Sequence, residues 1–495
     1  MKKRSDYIIY LLLILACILS RVPELVSPNL LLDGDECVVA LMAKHMANHS
    51  AFYPFFYGQT YGFSLIECLF IIPFYLLFGV TALSVKCTML LLWTLGALFL
   101  YRAFILINKT GYQWLPLLLT LLFILSPAWA VWSMKARGGY LTAFACSSIV
   151  LNLIFSNKKN MPGIFLTGLL TYIIYLAQPL WLPGLAPFLI LYLIRDKRAL
   201  SLFVFALPVT TLAIWIHFYN RGALTFGVIP IHLHTDDLYE RITRIPWFVY
   251  NSLHGSYYFG QVQKPNLFCA IPAVVMEVLT LSLPVIFICR MLTKKKVTLL
   301  FGLSVLSVLF TIGNSVLSAD IQCRYLLPLT GFALLSVLLL LNSVRFRPGI
   351  LIVSTSAYLA FGIVALITFY DFSFVPIKEI RLKPALRSLS DKGVHYAFCA
   401  DNLFAWQVMF YSNERILCHE MQFPGRFPKY WWQVDSAFYS GAKTAYIAYT
   451  GLWSPVTFQN TEVINDLTVV IDPPHDIIAK NFSRMTQRPT YYYCK

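Results

Sequence analysis

The chain has 495 residues, 58% of them hydrophobic and only 13% charged, and its mean hydropathy is +0.67. A soluble protein carries about 25% charged residues, so a soluble enzyme, a disordered chain and a secreted disulfide scaffold are excluded. The 39 Lys and Arg against 23 Asp and Glu leave a net charge of +16, yet these cations do not form a nucleic-acid-binding face. They stand in short clusters between apolar runs: Lys2-Lys3-Arg4, Lys158-Lys159, Arg195-Asp196-Lys197-Arg198, Lys294-Lys295-Lys296 and Arg345-Phe346-Arg347. Such clusters mark the cytoplasmic loops of a membrane protein. Apolar runs of about 17 to 24 residues, enough to cross a hydrocarbon core of about 30 Å, recur from Tyr7 to Tyr370. The fold class is a polytopic α-helical membrane protein.

Tyr7 to Ser20 follows a basic start but precedes no small-residue cleavage site, so it reads as a retained first span rather than a signal peptide. Holding the basic clusters inside predicts spans near 7–22, 84–101, 114–133, 139–156, 162–178, 180–194, 199–217, 267–290, 297–317, 325–342 and 350–370. That is about 11 crossings (range 11–13), with the amino terminus cytoplasmic and the carboxyl tail outside. The segment 62–79 is apolar enough to span but breaks this alternation, and is expected to be a re-entrant or interfacial helix. The membrane module, 1–370, then carries its polar material on the outer face, in a first loop (22–61) and a long loop (218–266). The tail, 371–495, alternates strand-length stretches (His395–Ala400, Arg415–Cys418, Ala445–Ala448, Leu467–Ile471) with amphipathic ones (Lys383–Asp391, Leu403–Tyr411, Tyr430–Tyr439). Alternation of that kind predicts a small extracytoplasmic α/β domain with a mostly parallel sheet. The 11 cysteines include no CxxC pair. Cys399 and Cys418 would suit pairing in an oxidising compartment, but the odd total argues against a disulfide framework.

The first outer loop holds Asp33-Gly34-Asp35-Glu36. After it, Val38, Leu41, Met42, His45 and Met46 recur at helical spacing, which predicts an amphipathic helix on the membrane surface. Acids at its start serve either as helix caps or as a general base or metal-binding pair where water meets the headgroups. A sugar carried on a polyprenyl phosphate would need such a base. Its leaving group requires only positive charge, whereas an attacking hydroxyl must lose its proton. Cations come from Lys135 and Arg137, in Lys-Ala-Arg-Gly-Gly-Tyr140, and from Arg324. An Arg fork suits phosphate, and Gly138-Gly139 would admit a phosphate close to the backbone. Interfacial snorkelling is the alternative for each cation alone.

These residues carry a resemblance. Asp33-Gly-Asp-Glu36, then Pro54-Phe-Phe-Tyr-Gly-Gln-Thr-Tyr-Gly62, Ser64-Leu-Ile-Glu67 and Pro73-Phe-Tyr-Leu-Leu-Phe-Gly79, resemble the start of the GT-C membrane glycosyltransferases. The closest groups are the dolichyl-phosphate-mannose protein mannosyltransferase-like and aminoarabinose-transferase-like families. Lys135–Tyr140, Gln178-Pro-Leu-Trp-Leu-Pro183, Arg324-Tyr-Leu-Leu-Pro328 and Gly425-Arg-Phe-Pro-Lys-Tyr430 extend it. The resemblance implies a GT-C fold, a polyprenyl-phosphate sugar donor and a protein, lipid or glycan acceptor. It implies Asp35 as the base, Glu36 as its support or a metal ligand, and Asp33 as the fallback. Lys135, Arg137 and Arg324 would bind the donor phosphate, and Asp33, Gln59, Tyr61, Glu67, Tyr140, Gln178 and Tyr325 would contact acceptor or sugar. A prokaryotic cell membrane is the expected location. The carboxylate pair Asp35 and Glu36 can act as a base unaided or hold a divalent cation (Mg, Mn or Zn) beside the phosphate.

Elsewhere, His232-Leu-His234-Thr-Asp236-Asp237 reads as a solvated loop, a divalent-ion site or a loop that closes over the acceptor. Glu67 and Glu277 lie in apolar segments, where ionisable groups are costly. Tyr430, Trp431 and Trp432 suit stacking on a sugar or docking at the membrane interface. The competing class is a transporter or flippase for lipid-linked sugars, which should carry polar groups along several spans near mid-membrane. Only Glu277 and Glu67 answer that description.

Overall fold

The computed structural model describes residues 2–25, 32–50, 52–57, 59, 62–156, 160–195, 199–219, 235–254, 257–258, 261–262, 267–293, 295, 297–318, 322–344, 348–369, 378–421, 427–450, 456–465 and 467–486. The chain forms two compact units. The first comprises 1–23, 89–135 and 139–372, and the second 24–88, 136–138 and 373–495.

The helices, in chain order, are α1 (Lys2–Leu19), α2 (Gly34–Ala47), α3 (Leu65–Phe78), α4 (Ala82–Ile107), α5 (Leu115–Ile124), α6 (Tyr140–Phe155), α7 (Met161–Ala177), α8 (Leu182–Ile194), α9 (Ala199–Tyr219), α10 (Thr235–Thr243), α11 (Ile245–His254), α12 (Leu267–Leu292), α13 (Leu299–Val316), α14 (Leu327–Leu341), α15 (Pro348–Phe369), α16 (Lys378–Asp391), α17 (Asn402–Tyr411), α18 (Pro428–Tyr439) and α19 (His475–Asn481). Each apolar run read from the sequence is helical. Among the described residues, four helices are long and apolar enough to cross a membrane: Ala82–Ile107, Ala270–Leu292, Leu299–Val316 and Cys323–Leu341. With the hydropathy they make this an integral membrane protein. The single span expected over 114–133 is instead broken: α5 ends at Ile124, and a short helix restarts at Ala128. Pro127 lies in the gap, where its missing N–H and fixed φ interrupt the ladder.

The first unit is welded by aromatic rings. Trp93 stands 5.3 Å from Phe123, 5.2 Å from Trp129 and 5.0 Å from Phe144, centroid to centroid. All four are fully buried. Beneath them lies a buried cation that sequence patterning did not single out. Arg21 donates from Nε to Ser133 Oγ (2.6 Å) and from Nη2 to the Ile124 carbonyl (3.1 Å), and its guanidinium faces the Trp93 ring at 5.6 Å. The carbonyl it reaches belongs to the last turn of α5, where helices leave acceptors without partners.

In the second unit the tail forms β1 (Tyr396–Cys399), β2 (Leu417–Glu420), β3 (Thr444–Tyr449), β4 (Glu462–Ile464) and β5 (Leu467–Ile471), in the order β2-β1-β3-β5-β4. β1 pairs in parallel with β2 (Tyr396↔Leu417) and with β3 (Tyr396↔Thr444). β5 runs antiparallel to both β3 and β4. The mostly parallel sheet of the sequence reading is therefore a mixed one. β1, β2 and β3 are joined through α17 and α18, the crossovers that parallel strands need, whereas β4 and β5 are joined by a turn at Asn465, whose φ is 54°. Phe398, Val434, Tyr446, Ile478 and Phe482 form the core beneath it. Trp431 is inside as well, its ring 3.9 Å from that of buried His419. The Cys399 and Cys418 sulfurs lie 3.5 Å apart with both thiols free.

The helix expected to lie half-exposed on a surface is covered all round. α2 buries 12 residues, Gly34 to Ala43 with His45 and Met46. α17 and α3 supply the cover, and α17 approaches so closely that a Cβ on Gly34 would sit 2.3 Å from the Leu403 carbonyl oxygen. Only glycine fits the middle of the acidic motif.

Candidate active site

The acids at the start of α2 divide their tasks. Asp33 is the N-cap, its Oδ1 accepting from the Glu36 N–H at 2.9 Å, while Glu36 Oε2 accepts from the Asp33 N–H at 3.1 Å. This is a complete capping box, in which two helix donors are satisfied reciprocally. Glu36 does more. Its Oε1 accepts from Lys86 Nζ at 2.9 Å and from the Ala136 N–H at 3.3 Å. Lys86 also reaches Glu24 Oε1 at 3.0 Å. Glu36 and Lys86 are 0% and 2% exposed, so a buried carboxylate ties α2, the start of α4 and the 136–138 segment together.

Asp35 takes no part in the cap. Its carboxylate pairs with Arg137 Nη2, and Arg137 Nη1 lies 3.8 Å from Asp33 Oδ2. The Ala136 N–H bond to Glu36 anchors the residue just before Arg137, and Gly138, with φ 57°, turns the chain just after it. Gly62 approaches this turn closely: a Cβ there would be 3.4 Å from the Gly138 Cα. The result is a nearly dry carboxylate–guanidinium pair held from both sides. Asp35 is 7% and Arg137 8% exposed. Such a pair can accept a proton at the acid and hold a phosphate oxygen at the guanidinium.

The structure thus brings Asp33, Asp35, Glu36 and Arg137 together. Gln59 and Glu67 belong to the same unit. Gln59 is half-buried, its N–H donating to the Phe56 carbonyl at 2.9 Å, and Glu67 is fully buried in the first turn of α3. Lys135, Tyr140, Gln178, Arg324 and Tyr325 belong to the first unit. There Tyr140 packs on Trp132 at 4.5 Å, the Gln178 N–H closes α7, and Arg324 lies over the Tyr325 ring at 5.5 Å. Tyr61, His232 and His234 lie outside the described residues. Among the described residues no three His, Cys, Asp or Glu side chains converge as metal ligands. Lys86 and Glu24 were missed by the sequence reading. The available signal was a lysine inside the otherwise apolar run of α4, where a charge demands a partner.

The far end of α2 is anchored by a second cluster. Glu414 meets Lys44 at 2.5 Å, His45 Nε2 at 2.9 Å and the Tyr430 hydroxyl, while His45 Nδ1 stands 2.6 Å from the Tyr57 hydroxyl. Asn413 and Glu414 adopt positive φ (54° and 63°) to aim the carboxylate. Burial alone would raise the Glu414 pKa, but the hydrogen bonds and charge of His45, with hydrogen bonds from Lys44 and Tyr430, outweigh it and lower the pKa to about 2. The folded value lies below the unfolded one of about 4.3. The stabilisation is therefore present above about pH 4.3 and lost as pH falls toward 2. Melting temperatures across this window should fall more steeply for wild type than for Glu414→Gln. Parallel curves would mean that the carboxylate is not held this way.

No protein-family model matches the sequence, and no curated protein matches it. Solved structures do. ArnT from Cupriavidus metallidurans bound to undecaprenyl phosphate aligns with a TM-score of 0.57 at 13% identity, covering 95% of this chain and 99% of that one. The same protein in the apo state gives 0.45 at 11% identity, over 98% and 100% of the two chains. The arabinofuranosyltransferase AftD from Mycobacteria gives 0.42 at 16%, covering 81% of this chain and 30% of that one. The first of these establishes the architecture: this chain shares the fold of that ArnT, the kind of fold expected from the sequence motifs.

Proposed function

We propose that this protein transfers a sugar from a polyprenyl-phosphate donor to an acceptor hydroxyl on the outer face of a prokaryotic cell membrane, with inversion. Eleven spans would set the amino terminus inside and residues 371–495 outside as an α/β domain. Asp35 removes the acceptor proton as that oxygen attacks the anomeric carbon. The carbon–oxygen bond to phosphate breaks, and polyprenyl phosphate leaves with the electron pair. Arg137 neutralises the phosphate. Glu36 works through others: it fixes the cap of α2 and the backbone next to Arg137. The observation that carries this reading is the division of labour among the three acids, which leaves Asp35 as the one not spent on the helix cap and paired with an arginine. The undecaprenyl phosphate bound to the ArnT of like fold supports the donor class.

Binding of the leaving group tests it. Polyprenyl phosphate at 100 times its Kd should stabilise the purified protein by about 2.7 kcal/mol. Arg137→Ala should weaken that binding about 10- to 100-fold, the scale of a charge-assisted hydrogen bond. Equal affinity in wild type and variant would remove Arg137 from the donor site. No stabilisation by any polyprenyl phosphate would contradict the donor class.

A further inference from the structure

The first unit holds a largely apolar cavity with cations in its lining. The cavity, of about 430 Å³, opens where α4, α6 and α8 end and α13 begins. Its walls are apolar, with Leu106, Ile154, Phe155 and Phe188 among them, and two cations line it, Lys109 and Arg195. Both are exposed, and among the described residues neither head group has an anionic partner. Leu300, in the first turn of the 18-residue α13, also lines the cavity, so the partial positive charge of that helix start is close by. The sequence sets Lys158 and Lys159 two and three residues beyond Ser156, and Asp196, Lys197 and Arg198 directly after Arg195.

We infer that this cavity binds an anionic phospholipid of the inner leaflet, its phosphate at Lys109 and Arg195 and an acyl chain along the apolar wall. The chemistry selects this occupant. A soluble phosphate would leave Leu106 and Ile154 uncovered, and a zwitterionic lipid brings its own cation to a site that already holds two. Basic pockets between membrane helices on the cytoplasmic side suit anionic headgroups, and each acyl methylene buried adds to the affinity. The leaflet follows from the basic loops being cytoplasmic. The site itself does not depend on the transfer reaction.

Native mass spectrometry of the full chain in detergent tests this, with titrations of phosphatidylglycerol, phosphatidylcholine and undecaprenyl phosphate. Wild type should hold one phosphatidylglycerol about 30-fold more tightly than Lys109→Ala/Arg195→Ala does, the scale expected for two interfacial cations. Leu191→Trp, which fills the cavity and leaves both charges in place, should lose the same lipid. Identical phosphatidylglycerol binding by wild type and both variants would overturn the site. Equal wild-type preference for phosphatidylcholine would overturn its selectivity for charge. Stronger binding of undecaprenyl phosphate, lost in the same variants, would overturn the phospholipid as occupant. The readout is lipid mass and not sugar transfer, so an inactive enzyme leaves the result interpretable.

Discussion

Asp35→Asn is expected to slow sugar transfer about 10²- to 10⁴-fold, the contribution of a general base, with the fold intact. Asparagine keeps the shape of the side chain and can still accept from Arg137, but it cannot take a proton. The neighbouring acids set the contrast. Asn is as good an N-cap as Asp, so Asp33→Asn should keep both stability and rate, since Asp33 works as the cap of α2. Turnover and melting temperature measured on the same preparations separate the cases. If Asp33→Asn loses the activity and Asp35→Asn keeps it, the base has been assigned to the wrong residue.

Lys86→Met should cost stability rather than chemistry alone. The Lys86 ammonium lies between Glu36 and Glu24 at 2.9 and 3.0 Å. Removing one partner of a buried ion pair typically costs about 3–5 kcal/mol, because the other charge is left uncompensated. The double variant Lys86→Met/Glu36→Gln should recover much of that loss, since a neutral amide tolerates burial better. Its activity should remain low, because the Glu36 carboxylate also holds the Ala136 N–H next to Arg137. A lowered melting temperature in the single variant and its recovery in the double are the readout. Equal destabilisation in both would mean that the pair is not coupled.

The helices of the first 370 residues were legible because each apolar helix writes its own run into the chain. The tail was legible for the same local reason: the strands at 396–399, 417–420, 444–449 and 467–471 and the helices between them fall where short apolar and amphipathic stretches alternate. β4 is only three residues long and mostly exposed, and α19 has seven residues, so neither carries a pattern to read. The acidic motif was visible, and its cap reading is met by Asp33 and Glu36, while Asp35 is paired with Arg137. Spacing within the motif could not divide them. That division depends on Lys86, 50 residues away, and on the Ala136 N–H, 100 residues away. The anchoring of α2 is more remote still. His45 meets Glu414 across 369 residues, and the face left apolar by His45 and its neighbours gave no sign that a tail helix, rather than lipid, would cover it.

A doubly labelled donor would reveal whether this chain breaks the bond between a sugar and a polyprenyl phosphate. Wild-type protein in liposomes would receive polyprenyl phosphate sugars carrying tritium in the sugar and ³²P in the phosphate, with membrane extract supplying acceptors. The labels should part: tritium moves into the acceptor fraction while ³²P stays with the polyprenyl chain. Labels that remain together on an intact donor, most tellingly on one that has crossed the bilayer, would contradict such cleavage and make the protein a carrier of lipid-linked sugars.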